Sequence, residues 1–139
     1  MIQIIAGVKG KGKTKHLLDQ ANTAMKEAHG TIVYVDKNSK HMYELDRNIR
    51  LINLFNYPVH SYEAFLGFIC GLISQDHDLE KVFLDSFLKL SHLSGEEIEN
   101  AVNDLNLISE KFNVDFILSV SEDKEFLPAN AQEATIIAL

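Results

Sequence analysis

The sequence predicts an α/β fold of three layers, a mainly parallel sheet with helices on both faces. Two observations carry this. Short apolar, β-branched runs alternate along the chain with amphipathic stretches of helical period. A glycine-rich turn also joins the first apolar run directly to the first amphipathic stretch. The 139 residues, 46% hydrophobic and 24% charged, fit a single domain spanning 1–139 with one real core.

Ile2 to Ala6 reads as a short buried strand bounded by Gly7. From Lys13 to His29, Leu17, Leu18, Ala21, Ala24, Met25 and Ala28 recur at helical spacing, and Gly30 stands where a helix C′ glycine belongs. Thr31 to Val35 is a β-branched and aromatic strand ending at Asp36. The polar stretch Asp36 to Asn48 predicts a turn and a short helix, and Ile49 to Leu54 a third strand.

Ser61 predicts the cap of a helix running to about Gln75, with Tyr62, Phe65, Leu66, Ile69, Leu72 and Ile73 on its buried side. Gly67 and Gly71 in that helix predict close packing on a sheet, and Cys70 a core position. Lys81 to Asp85 is a short strand with an acidic end. Ser94 followed by Glu97 forms a capping box. The helix behind it places Ile98, Ala101, Val102, Leu105, Ile108 and Phe112 on one face. Val114 to Val120 is another buried strand. Pro128 breaks the tail, and Thr135 to Leu139 reads as a last edge strand, with a helix as the alternative.

Composition excludes several classes. A lone Cys70 leaves no internal disulfide and no cysteine-rich zinc site. The six histidines show no metal-ligand spacing. The longest apolar run, Ala64 to Ile73, is about half a membrane span, and the N-terminal residues carry no basic leader. The expected location is cytoplasmic, with no membrane span. The net charge of −7 is unevenly spread: residues 1–50 carry nine Lys/Arg against five Asp/Glu, and residues 51–139 carry four against fifteen. Lys9, Lys11, Lys13 and Lys15 crowd into seven residues. A local positive patch on an acidic chain suits one small anionic ligand better than a nucleic acid.

The turn itself reads Gly7-Val8-Lys9-Gly10-Lys11-Gly12-Lys13-Thr14, a match to G-x-x-x-x-G-K-[ST] between a strand and a helix. Glycines permit backbone angles and close approach that a Cβ obstructs. Successive N–H groups then converge on phosphate oxygens, and the helix start adds its positive dipole end. The residues expected to hold the phosphates are Gly7, Val8, Lys9, Gly10, Lys11, Gly12, Lys13, Thr14 and Lys15. Lys13 is placed on the β- and γ-phosphates and the Thr14 hydroxyl on Mg²⁺. In parallel sheets, ligands bind beyond the carboxyl ends of the strands. That rule brings the turn after Ala6, the end at Asp36 and the end at Asp85 to one crevice.

The motif Gly7 to Thr14 and the strand Lys81 to Asp85 resemble the Walker A and Walker B elements of P-loop NTPases. The whole chain is similar to small bacterial P-loop proteins labelled twitching-motility ATPases. The acidic and histidine motifs of pilus-retraction ATPases themselves are not located here. The resemblance implies that Asp85 holds the hydration shell of Mg²⁺; ATP is the expected nucleotide because no guanine-reading motif is found. In the motor and RecA-like branch a Glu follows the Walker B Asp; here Ser86 stands in its place, and Asp36 is the substitute to orient water or assist the metal. Ser119 and Ser121 end the next strand, where that branch has a polar contact to the γ-phosphate.

Lys13, Asp85 and Asp36 are thus the expected catalytic residues, and Thr14 and Asp85 the expected metal residues, of an ATP hydrolase that is slow or partner-activated. A nucleotide-dependent switch without turnover stays open, motivated by Ser86. A small-molecule kinase also stays open, although such enzymes surround two phosphates with several arginines and this chain has only Arg47 and Arg50. Asn38-Ser39-Lys40-His41 does not fit the guanine-reading motif. The resemblance leaves a homo-oligomer or a protein partner open.

Overall fold

The structure is a computed structural model that describes residues 1–139. Its strands are β1 (Ile2–Ala6), β2 (Thr31–Asp36), β3 (Arg50–Asn53), β4 (Leu79–Leu84), β5 (Asp115–Val120) and β6 (Thr135–Ala138). Its helices are α1 (Lys13–Glu27), α2 (Tyr62–Ser74), α3 (Phe87–Ser91), α4 (Ile98–Phe112) and α5 (Ala129–Ala134). All strand pairs are parallel, in the order β3-β2-β4-β5-β1-β6. The tail is an edge strand, as its apolar, β-branched sequence predicts. No helix is long and apolar enough to cross a membrane.

The order explains the layers. The chain first travels outward from β1 to β2 and β3, then returns through β4 and β5 to β6. Right-handed crossovers in opposite directions must lie on opposite faces. Leu17, Leu18 and Ala21 of α1, with Leu45 and Ile49, pack on one face against Ile5, Ile32, Tyr34, Phe83 and Ile117. Helices α2 to α5 pack on the other, against Ile4, Val33, Val35, Val82, Leu84, Phe116 and Leu118. The outgoing connections of neighbouring strands diverge between β5 and β1 and between β4 and β2, and ligand crevices form at such points.

Cross-strand register extends this division into the site. Tyr34, Phe83 and Ile117 form one row facing α1. Two residues on, with the strand period of two, Asp36, Asp85 and Ser119 project to the same side. The carboxyl ends therefore present polar groups toward the start of α1.

The caps agree in part with the sequence. Ser61 Oγ accepts the Ala64 N–H at 3.1 Å, and the Glu97 carboxylate accepts the Ser94 N–H at 2.9 Å. The box opens a single 3₁₀ turn, Gly95–Glu97, that leads into α4. Three expectations are corrected. Gly30 is not a left-handed helix cap: α1 ends at Glu27, and a Cβ on Gly30 would lie 2.0 Å from the Asp78 carbonyl oxygen. Close approach of backbone requires this glycine, not a positive φ. Gly67 and Gly71 touch nothing within 4 Å of a Cβ position, and Cys70 is exposed. Phe65, Ile69 and Ile73 are the residues of α2 that face the sheet, which turns Gly67, Cys70 and Gly71 outward. Phe112, at the last turn of α4, is 48% exposed because Ile98, Ala101, Val102 and Leu105 take the buried stripe.

These glycines give opposite expectations under substitution. Gly30→Ala overpacks a backbone contact and is expected to cost about 1–3 kcal/mol. Gly67→Ala, on an open helix face, is expected to add about 0.5–1 kcal/mol. Urea unfolding of the two variants beside wild type measures both.

Candidate functional site

The loop between β1 and α1 is tied down at its start. The Gly7 N–H donates to Val120 O at 3.2 Å, and a Cβ on Gly7 would meet the Leu139 Cβ at 3.0 Å. Gly10 and Gly12 have φ of 89° and 90°, the left-handed region where a side chain is strained. Gly12 is the residue before α1; no side chain caps this helix, and its first turn holds no acid. Free N–H groups and the dipole at such a helix start favour an anion.

Lys13, the first residue of α1, is 8% exposed. Its Nζ donates to the Val8 carbonyl at 3.1 Å, which uses one of three ammonium donors. Burial pulls its pKa below the usual lysine value, and the Asp85 charge opposes that shift. A bound anion would reverse the burial penalty.

Asp85 directly follows β4 and is buried. Its N–H donates to Val35 O at 3.0 Å, so it is still aligned with β2. Three hydroxyls donate to its carboxylate. Tyr34 reaches Oδ2 at 2.8 Å, while Ser119 and Thr14 reach Oδ1 at 2.7 and 3.3 Å. Ser119 Oγ in turn accepts the Ser86 N–H at 2.7 Å. Ser86 has φ 55°, an unusual left-handed turn for a residue with a side chain, placed beside the buried carboxylate. Burial and the Asp85 charge push the Tyr34 hydroxyl far above the usual tyrosine range, so it stays a donor.

A cavity of about 460 Å³ lies over these groups, lined by Lys9, Gly10, Gly12, Lys13 and Thr14 from the loop side. Across from them stand Lys37 after β2, Asp85, Ser86 and Lys89 after β4, and Ser119 and Ser121 at the end of β5. No apolar residue lines it. Val8, Lys11 and Lys15 are exposed and Gly7 is buried, all outside this lining. Arg47 and Arg50 are exposed and also outside it. Asp36 is buried beside the site, and its Oδ1 accepts the Lys37 N–H at 2.7 Å.

Lys37, Lys89 and Tyr34 were not expected at the site. For Lys37 the signal was present, since it follows a strand-ending acid. Tyr34 reads in sequence as one more strand aromatic, and Lys89 as a surface lysine, until the topology sets them beside Asp85.

The oxygen donors fit a small hard cation. Thr14 and Asp85 offer a hydroxyl and a carboxylate, and no cluster of three or more His, Cys, Asp or Glu forms a closed cage. Mg²⁺ commonly takes one or two protein oxygens, with water and phosphate supplying the rest. Neither protein-family models nor the curated proteins give a match to the chain.

Asp36 provides a pH test. Burial, then the Asp85 charge, raises its pKa above the ordinary 3.8, while the Lys37 N–H and the His41 and Lys37 charges oppose. The folded protein thus holds this proton more tightly than the unfolded chain. Stability from this group is lost as pH rises through the raised value, and the full cost remains at neutral pH. Asp36→Asn is expected to unfold at higher urea than wild type at pH 7. At pH about 3, where both states of wild type are largely protonated at this site, the gain should vanish.

Proposed function

We propose that the chain is a P-loop protein that binds Mg²⁺-ATP and hydrolyses it slowly or on activation by a partner. The observation that carries this reading is the buried Lys13 ammonium. It shares one cavity with the Thr14 hydroxyl and the Asp85 carboxylate, at the start of an uncapped helix.

Each residue has a physical task under this reading. The loop N–H groups and Lys13 neutralise phosphate oxygens, with Lys13 on the β- and γ-phosphates. Thr14 would ligate Mg²⁺ directly. Asp85 would hold its hydration shell, because Tyr34 and Ser119 already fix the carboxylate. When bound, Mg²⁺ would neutralise charge on the phosphate oxygens. Ser119, at the end of the strand between β1 and β4, spends its one hydroxyl proton on Asp85 and would act on the site through that carboxylate. An entirely polar lining suits a phosphate chain and offers no apolar platform for a base within the cavity itself.

The same geometry favours slow turnover. Asp85 is the one carboxylate lining the cavity, and Ser86 follows it. Asp36 is buried outside the lining, so the cavity holds no second carboxylate to orient water. This observation supports a second reading, a nucleotide-dependent switch that binds Mg²⁺-ATP without releasing phosphate.

Phosphate release from saturating Mg²⁺-ATP, with Lys13→Ala prepared beside wild type, separates the readings. The hydrolase reading expects release that falls about 10²-fold or more in Lys13→Ala, the scale for one transition-state charge contact. Equal release from both proteins would contradict it. No release, with binding intact, would select the switch.

A further inference from the structure

We propose that Lys37 and Lys89 form a second cationic wall that reads the terminal phosphate, so that the site distinguishes a nucleoside triphosphate from a diphosphate. This rests on reading Gly7–Thr14 as a nucleotide phosphate loop.

Four lysines line the cavity: Lys9, Lys13, Lys37 and Lys89. The ion pairs of the molecule are Met1–Asp115, His41–Glu44 and Lys81–Asp115, and none involves these four. Acidic residues outnumber Lys and Arg, 20 to 13, so carboxylates to pair with them are not scarce. The one carboxylate in the lining, Asp85, is occupied by three hydroxyl donors. Lys89 stands within electrostatic reach of Lys37 and Lys9. Lys37 and Lys9 repel the Lys89 charge and lower its pKa. Four lysines gathered around one crevice with a single lining carboxylate form a site that an anion would relieve.

Their positions identify which part of the anion they meet. Lys9 and Lys13 come from the loop, whereas Lys37 comes from the end of β2 and Lys89 from α3. Along the carboxyl edge of the sheet, Asp85 after β4 stands between the loop after β1 and Lys37 after β2, with the Thr14 hydroxyl 3.3 Å from its carboxylate. In phosphate loops that pair marks where β- and γ-oxygens meet. Groups beyond it, on the Asp85 side, face the outermost phosphate. Helix α3 holds Lys89 there by packing: Phe87 and Leu90 are fully buried, and the Phe87 ring meets Phe65 edge-on at 5.8 Å. These lysines supply from within the chain the charge that an arginine would otherwise bring.

Calorimetric titration with Mg²⁺-ADP and with the Mg²⁺ complex of a non-hydrolysable β,γ-methylene ATP tests this. Wild type is expected to prefer the triphosphate by about tenfold, one charge-assisted contact converted to affinity. Lys37→Gln with Lys89→Gln should reduce the preference to within about twofold while leaving diphosphate affinity near wild type. A charge-matched control, Lys40→Gln with Lys124→Gln, should keep the preference. If the Lys37/Lys89 variant retains the preference, or loses both affinities equally, the proposal is overturned and the phosphate-loop reading stands. If wild type binds neither compound, both fall. All four lysines of these variants lie at least partly in solvent, so thermal melting should show folded proteins throughout.

Discussion

The Asp85 carboxylate is the interaction on which the site depends. It is buried at the end of a central strand, and such a charge is costly unless its oxygens are satisfied. Here Tyr34 of β2, Ser119 of β5 and Thr14 of α1 all donate to it. One side chain thereby fastens two neighbouring strands and the helix that follows the glycine loop. The same oxygens that stabilise the fold define the floor of the cavity. Changing Asp85 alters architecture and chemistry together, so its role is best judged by isosteric substitution.

Lys13 supplies the opposite charge under a similar constraint. It is buried with one protein acceptor, at a helix start that lacks both a capping side chain and an acidic first turn. Helices ordinarily place acids there, because the dipole favours them. This chain places lysines around the position instead. Local rules are broken together at Gly12, Lys13, Ser86 and Asp36, and all four stand at or beside one crevice. Functional sites are where such departures collect.

Much of this was legible in the sequence. The glycine loop lies between an apolar run and a periodic helix, and two strands end in aspartate, so topology alone brings Gly7–Thr14, Asp36 and Asp85 near each other. Periodicity failed where it carried little contrast. Helix α2 is apolar on most of its circumference, so composition did not reveal that Gly67, Cys70 and Gly71 face outward. Gly30 stands after a helix, as a cap would, yet its reason lies in the Asp78 carbonyl 48 residues away in sequence. The contributions of Tyr34, Lys37 and Lys89 are likewise non-local. They follow from strand register and from the short helix α3, whose five residues are too few to show a period.

We infer that the loop, Thr14 and Asp85 together hold a metal-bound nucleotide. The most direct test of this inference is a calorimetric titration of ATP with and without Mg²⁺, for wild type and Asp85→Asn, an isosteric change that removes the charge and keeps the shape and one of the two acceptor oxygens. Wild type is expected to show one saturable site, strengthened about tenfold or more by Mg²⁺, and the variant little Mg²⁺ dependence. Absence of binding, or binding equally tight without Mg²⁺ in both proteins, would contradict it.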